Sequence, residues 1–219
     1  TDRTAAVAAA AGATVIANPW PGFAAQRRFA LEKTAEARVV FLDADGEVTP
    51  ELVAEIGALD WRAAGYRVPR RSLFLGRWMA HGAWSRDRVL RLFCRERASI
   101  AERAVHEEVA IDGPVGELAS ALRHYAQDDF ATVGAKFAAY IPLAAREIVR
   151  RGGPPGIVAV ILRAQVSFLR DYLLRLGFLD GWRGFVLAFW GAASVIAKYA
   201  EARRLMELAA PDENGRVAP

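Results

Sequence analysis

Residues 38–48 constrain the fold most, because an apolar run of strand-forming residues ends in two aspartates, Asp43 and Asp45, separated by a single residue. Such a run predicts a buried β-strand, and in open α/β sheets ligands bind beyond the carboxyl ends of the strands. Two carboxylates this close can share a divalent cation, and hard oxygen ligands suit Mg²⁺ or Mn²⁺. The structural alternative is a strand followed by an Asp-rich turn and a helix capped near Thr49 and Pro50.

The flanking segments alternate between helix and strand patterns and then change character. The predicted order is helix 2–12, strand 13–17, helix 23–34, a strand within 38–48 that ends at the two aspartates, helix 51–59, and then strands at 65–75, 87–94 and 116–125. Short connections between alternating helices and strands are typical of a parallel sheet covered on both faces, so we expect the α/β class. Beyond residue 65 the regular alternation stops.

The C-terminal part is expected to be helical, which divides the chain into a domain at 1–126 and a helical region at 127–219. A helix follows Tyr125 and has Asp128 or Asp129 near its start. Its expected buried stripe consists of Phe130, Val133, Phe137, Tyr140 and Ile148. A linker at 152–156 precedes an amphipathic helix at 158–176.

A second apolar run at 184–197 is flanked by Trp182, Arg183, Lys198 and Tyr199. Fourteen helical residues span roughly 21 Å, which is short of the ~30 Å hydrocarbon core of a bilayer. We therefore expect this run to lie in a membrane interface or to re-enter it, since aromatic and basic flanks are typical of interfacial segments. The alternative is a helical hairpin that packs on the protein's own core.

The basic residues are unevenly distributed. Of the 29 Lys and Arg residues 26 are Arg, and eleven of these fall between Arg62 and Arg103, against three acids. This excess predicts a locally positive surface that attracts phosphates, as in an anionic lipid or a phosphorylated sugar, although a biased genome composition produces the same excess. No recognised nucleic-acid module is present, so nucleic acid is not an expected partner. The single Cys94 cannot form an intramolecular disulfide, which favours a cytoplasmic location.

Residues 77–84 concentrate Trp78, His81 and Trp84 among small side chains. Flat aromatic faces stack on sugars and bases, so Trp84 is a candidate for binding a nucleotide sugar. Alternatively, both Trp side chains fill the core of the domain.

Eight segments occur in an order that resembles the family-2 inverting glycosyltransferases of the bacterial lipopolysaccharide inner-core glucosyltransferase type. They are TDRT, NPWPGFAAQRRFAL, VVFLDADGEVTPEL, GYRVPRRSLFLGRWMAHGAW, RDRVLRLF, VHEEVAIDGPVGEL, LRHY and RDYLLRLGFLDGWRGFVLA. The resemblance covers nearly the whole chain and implies a GT-A nucleotide-sugar-binding (Rossmann-like) fold. It also implies UDP-glucose as donor, a core heptose or related glycolipid as acceptor, and a place at the inner leaflet, on the cytoplasmic face of the bacterial inner membrane. In that family TDRT follows the second strand, so the resemblance implies an N-terminally truncated domain, and we expect the chain alone to be inactive.

The resemblance also assigns roles to particular residues. Asp43 faces the nucleotide sugar, and the candidate ligands of a divalent metal are Asp43, Asp45 and His124. The other donor contacts that it implies are Asn18, Gln26 and Arg27. For His124 a purely structural role is the alternative.

Inversion requires a base that takes the proton of the acceptor hydroxyl, and a carboxylate is the usual choice. The resemblance points to Glu107 in VHEEV, with Asp87 in reserve. Glu107 could instead be an exposed acid paired with Arg103.

Two rival interpretations stand beside this one. FLDADGEVT resembles the D-x-D-G-T signature of haloacid-dehalogenase-type phosphatases, which would make Asp43 a nucleophile and Asp45 an acid, but Glu47 stands where that signature has Thr. The other is a non-catalytic membrane-associated scaffold that has kept the fold.

Overall fold

A computed structural model describes residues 2–101, 108–127 and 129–209. The helices in these residues are α1 (Thr4–Ala10), α2 (Phe23–Lys33), α3 (Pro50–Gly57), α4 (Phe130–Arg150), α5 (Ile157–Leu169) and α6 (Gly181–Ala209). The strands are β1 (Arg38–Val40), β2 (Gly46–Val48), β3 (Gly65–Phe74), β4 (Arg77–Trp78), β5 (Arg88–Cys94), β6 (Ala98–Ala101), β7 (Glu108–Ile111), β8 (Val115–Glu117) and β9 (Leu122–Gln127).

The main sheet is mixed, with β3 at its centre. The strand order is β1-β5-β3-β9-β2, and β4 and β8 also pair with β3. β3 runs parallel to β8 and β9, whereas the β1–β5, β3–β5, β3–β4 and β2–β9 pairs are antiparallel. The prediction of a parallel sheet was therefore wrong, although the α/β class is confirmed. A parallel neighbour needs a crossover of a dozen or more residues, whereas β3 turns back at once into β4 through Leu75 and Gly76, both at positive φ.

Local signals predicted several elements correctly. The helices expected at 23–34 and 51–59 correspond to α2 and α3, and the strands expected at 65–75 and 87–94 to β3 and β5. α3 begins where Thr49 accepts a hydrogen bond from the Leu52 amide at 3.2 Å, with Pro50 in the first turn.

Other strand predictions were wrong, or only partly correct. Residues 13–17 form no strand in the described structure, and Val15 and Ile16 are each 47% exposed. Strand propensity is realised only through pairing, and no described strand pairs with this segment. The strand expected to end at the two aspartates is the short β1, in which Val39 is buried but Val40 is not, and a second short strand, β2, follows the turn. The expected strand at 116–125 is divided into β8 and β9.

Two hydrophobic clusters fill the interior. The first joins α3 to the sheet through Leu52, Tyr66, Val68, Leu92, Leu118 and Leu122. The second consists of Phe74, Leu75, Met79, Val133 and Leu187, so it joins the end of β3 to α4 and α6. It thus contains residues from both sides of the domain boundary expected at 126/127, which itself stays a prediction.

The helices of the C-terminal region occur in the predicted order, but their lengths differ from the predicted ones. Asp129 caps α4 by accepting a hydrogen bond from the Thr132 amide at 2.8 Å. Of the expected buried stripe Val133 is buried, whereas Phe130 and Tyr140 are more than half exposed. α6 has 29 residues, about 44 Å, so the helix extends beyond the apolar run at 184–197 on both sides, and the interfacial position of that run stays a prediction. By length and composition the segment Gly177–Ala209 could cross a membrane, and 17% of its most apolar window is buried.

A buried carboxylate ties the turn before α6 to the loop after β4. Asp180 is 2% exposed and accepts hydrogen bonds from the amides of Ala80 and His81 at 3.1 and 2.8 Å. Its second oxygen lies 3.2 Å from His81 Nδ1. The turn therefore has a fixed position against the sheet.

Candidate functional site

Asp43 lies in the turn between β1 and β2, where two guanidinium groups hold its carboxylate. Arg27 Nη2, from α2, is 3.2 Å from Asp43 Oδ1, and Arg91 Nη2, from β5, contacts Oδ2. The Asp43 carbonyl accepts a hydrogen bond from the Gly46 amide at 2.9 Å, which closes the turn. Asp43 is therefore oriented by three separate elements.

Arg91 is the most deeply buried cation of this site, with a side chain that is 9% exposed. Burial lowers the pKa of Arg91, and the negative charge of Asp43 opposes that change. The pair therefore consists of a buried positive charge and a partly exposed carboxylate.

Asp45 faces His124, which lies on β9. Asp45 Oδ2 is 3.2 Å from His124 Nε2, and His124 Nδ1 is 3.0 Å from the hydroxyl of Ser72 on β3. Burial lowers the pKa of His124 below its ordinary 6.5, the nearby charge of Arg70 lowers it further, and Asp45 opposes both. The imidazole is therefore neutral near pH 7, the form in which histidine binds a metal.

Asp87 is held by Arg70 at the edge of the same site. Arg70 Nε and Nη2 lie 2.7 and 2.6 Å from Asp87 Oδ2. Arg70 also lines a small cleft with Asp43, Asp45, Arg91, Arg123 and His124. Two aspartates, one histidine and three arginines thus border one opening.

The structure places the other predicted residues as follows. Asn18 Nδ2 donates to Gln26 Oε1 at 2.9 Å, next to Arg27 on α2. Trp84 packs edge-on against Phe74 with ring centroids 5.4 Å apart, in the second core cluster and not in the cleft. Glu107 lies outside the described residues. The roles of all these residues stay predictions.

Sequence reasoning missed Arg70, Ser72 and Arg91. Arg70 and Ser72 are two positions apart on β3, so they lie on the same face, and the parallel register sets Ser72 opposite His124. The sequence does contain a signal for Arg91, because this cation lies between apolar residues in the strand RVLRLFC. Arginine is rarely buried without a charged partner, so this position predicts an ion pair.

The protein ligands of this site can hold a divalent metal only if a substrate supplies further oxygen ligands. The described residues contain no group of three or more His, Cys, Asp or Glu side chains able to hold a metal. Asp43 already contacts Arg27 and Arg91. The carboxylate of Asp45 and the neutral imidazole of His124 are therefore the remaining candidate metal ligands. Mg²⁺ and Mn²⁺ often bind through one or two protein ligands and complete their shell with water and phosphate oxygens. Asp45 and His124 fit that arrangement.

Comparison with a protein-family model indicates the class of protein to which the N-terminal part of the chain is similar. Residues 1–102 match the family model described as Glycosyl transferase family 2. The match includes α1 to β5 and all of the cleft except Arg123 and His124, and it supports a glycosyl transferase family 2 domain in this part of the chain.

Relatives extend the similarity over most of the chain. The lipopolysaccharide core biosynthesis glycosyltransferase LpsC of Rhizobium meliloti (strain 1021) is 29% identical over 194 residues, which cover 83% of this chain and 72% of the relative. An uncharacterized glycosyltransferase of Rickettsia bellii is 25% identical over 222 residues, covering 94% of this chain and 74% of the relative. The uncharacterized glycosyltransferase RT0209 of Rickettsia typhi is also 25% identical over 222 residues, covering 95% and 74%. Together these findings support glycosyl transfer as the activity.

Proposed function

We propose that this protein transfers a sugar, glucose from UDP-glucose, to a lipopolysaccharide core or related glycolipid acceptor with inversion. The single observation that carries the proposal is the cleft in which Asp43 and Asp45 meet Arg70, Arg91 and His124. Guanidinium groups bind phosphate oxygens in forked hydrogen bonds, so this cleft suits the diphosphate of a nucleotide sugar. The name of the Rhizobium meliloti relative, a lipopolysaccharide core biosynthesis glycosyltransferase, supports the core acceptor.

In this proposal the arginines bind the donor and stabilise the leaving group. Arg91 is fixed by Asp43, and Arg70 by Asp87, so their charges are in place before the reaction and need little reorganisation. Asp45 and His124 would hold Mg²⁺ or Mn²⁺, which when bound adds positive charge beside the diphosphate. Asn18, Gln26 and Arg27 would position the nucleotide sugar, and Trp84 would act only indirectly, through the core.

Glu107 is the proposed base, and the ion pair of Asp87 with Arg70 supports that choice. The Asp87 carboxylate is engaged by the guanidinium of Arg70, 2.6 Å away, so it is less available to contact an acceptor hydroxyl. In an assay of the intact enzyme Glu107→Gln should lower kcat by about 100-fold or more with little change in KM, because the base acts in the transition state. If Asp87→Asn gives that result and Glu107→Gln does not, the roles are reversed.

The proposed location is the cytoplasmic face of the bacterial inner membrane, against its inner leaflet. Support comes from α5, where Ile157, Val158, Leu162 and Val166 are each more than half exposed, and from the apolar α6. Exposed apolar side chains on an amphipathic helix favour an interfacial position.

Asp45→Asn tests the function, because it removes an anionic ligand with almost no change in volume. In the intact enzyme we expect transfer from UDP-glucose and Mn²⁺-dependent binding of UDP, measured by calorimetry, both to fall by about tenfold or more. Glu51→Gln on α3, an exposed acid, is the matched control and should leave both unchanged. Equal UDP binding by parent and Asp45→Asn would contradict the proposal, and Asp45-dependent release of phosphate from an aryl phosphate would favour the phosphatase.

A further inference from the structure

An apolar cavity of about 300 Å³ lies between α4, α6 and the end of β3, apart from the cleft described above. The aromatic and aliphatic side chains of its wall include Phe74, Trp84, Phe137, Ile141, Leu187 and Trp190. Protein interiors contain few voids larger than a water molecule, whereas ligand pockets begin at about 300 Å³. The volume therefore lies at the lower end of the range found for ligand pockets.

The cavity is elongated along the two helices. Its lining runs from Val133 to Ala144 on α4 and from Leu187 to Lys198 on α6. With a rise of 1.5 Å per residue, each wall extends about 16 Å. A long apolar space of this kind suits an extended alkyl chain better than a compact ring system.

The two ends of the cavity differ in exposure. At one end Phe74, Val133 and Leu187 are 1%, 4% and 9% exposed, so that end is closed by the second core cluster. At the other end Tyr140 is 53% exposed and Lys198 is partly exposed. The cavity is therefore more open to solvent beside Tyr140 and Lys198 than beside Phe74.

The charge at the open end selects the head group. The chain has only three lysines, and two of them, Lys136 and Lys198, line this cavity. The Lys136 ammonium donates to the Ala126 carbonyl at 2.6 Å, whereas the Lys198 ammonium lies 5.5 Å from the ring centroid of Tyr199. No ion pair of Lys198 occurs among the residues that the structure describes, and no acidic side chain lines the cavity.

We propose that this cavity binds an amphiphile with one acyl chain, whose tail lies against Phe74 and whose anionic head group pairs with Lys198. Burial of the tail supplies the affinity, and the ammonium supplies the orientation. A cationic amphiphile would find no counter-charge in the lining, and a nucleotide would place many polar groups against an apolar wall. The proposal does not depend on sugar transfer.

Calorimetry with dodecanoate below its micelle concentration tests the proposal on the complete chain. We expect saturable 1:1 binding that Ala144→Leu weakens by about tenfold or more, because the added side chain fills the cavity. Ala139→Leu, on the exposed face of the same helix, is the matched control and should bind as the parent does. Circular dichroism confirms that both variants are folded.

Lys198→Gln tests the head group separately. It should lower the affinity for dodecanoate by about threefold to tenfold and leave the affinity for dodecanol unchanged, since only the carboxylate pairs with the ammonium. Lys33→Gln, an exposed lysine on α2, should change neither ligand. Inorganic phosphate should not compete with dodecanoate, because it lacks the tail.

Three results would overturn the proposal. They are the absence of saturable dodecanoate binding to the parent, equal affinity of the Ala144→Leu variant, and displacement of dodecanoate by inorganic phosphate at similar concentration. If Ala144→Leu changes the sedimentation coefficient of the chain while dodecanoate does not bind, the cavity is a contact between copies and the proposal fails.

Discussion

Asp43 and Asp45 are two positions apart, yet their surroundings give them different roles. Asp43 lies between the guanidinium groups of Arg27 and Arg91, whereas Asp45 faces the neutral imidazole of His124. Loss of the Asp43 charge leaves the buried Arg91 without the carboxylate that contacts it. Loss of the Asp45 charge removes one polar contact at the surface of the cleft.

Asp43→Asn should therefore lower the free energy of unfolding by about 1–3 kcal/mol, less than for a fully buried pair because the Asp43 side chain is 40% exposed. Asp45→Asn should change it by no more than about 0.5 kcal/mol. Urea denaturation of the two variants measures both values. Equal losses would contradict the assignment of Asp43 as the structural partner of Arg91.

At the scale of helices and strands, the sequence predicted what depends on neighbouring residues. The Thr49 cap and Pro50 locate α3, and the aspartates of the turn identify the candidate site. The sheet order and the failure of residues 13–17 to pair depend on contacts with distant strands, which no local pattern contains. Arg70 and Ser72 were missed for the same reason, since only the register of β3 with β9 brings them to His124.

The start of α6 depends on a glycine. A Cβ on Gly184 would lie 1.8 Å from the carbonyl oxygen of Gly177, in the turn before the helix. Gly184→Ala should therefore cost about 2–3 kcal/mol of stability and lower Tm by several degrees. Gly191→Ala, on the same helix, meets nothing closer than 3.9 Å and should raise stability by up to about 1 kcal/mol. Calorimetric melting compares the two, and a stable Gly184→Ala variant would show that the turn can move.

The loop before β9 depends on the charge of Glu55. Its carboxylate accepts hydrogen bonds from the amides of Ala119 and Ser120 at 2.8 and 2.7 Å. Burial acts to raise the pKa of Glu55, but the two amides outweigh it and hold the pKa below the ordinary 4.5. A depressed folded pKa means that the contribution, about 1 kcal/mol, is complete above pH 4.5 and is lost as the pH falls below it.

Glu55→Gln should accordingly lower the free energy of unfolding at pH 7 and reduce its fall between pH 5 and 3, as measured by urea denaturation at each pH. Glu51→Gln, on the exposed side of α3, should leave that dependence unchanged. An identical pH dependence in parent and Glu55→Gln would contradict the prediction.

On the scale of the whole molecule, the exposed apolar residues are concentrated on the C-terminal helices. Val158, Leu162 and Val166 are four positions apart on α5 and are 67%, 54% and 61% exposed, so they share one face. An unpartnered apolar face of this extent is typical of a surface that contacts lipid or another protein.

Replacement of Val158, Leu162 and Val166 together by Gln should reduce cosedimentation with anionic vesicles by about tenfold or more, because binding scales with the apolar area transferred. Tm should change little, since the three side chains are already exposed. Val7→Gln and Val53→Gln, each at a valine that is 59% exposed outside α5, are the controls. Undiminished cosedimentation of the triple variant would show that α5 does not contact the vesicle.

The bond between the Ala80 amide and Asp180 joins residues 100 positions apart, and this separation has a consequence during synthesis. A ribosome adds about 5–20 residues per second, so the nascent chain carries Ala80 for roughly 5–20 s before its acceptor exists. Leu187, which covers Phe74 and Met79 in the second cluster, emerges later still. For that interval the end of β3 is an uncovered apolar surface on the polysome, and a chaperone or a lipid surface that shields it would raise the yield of folded protein.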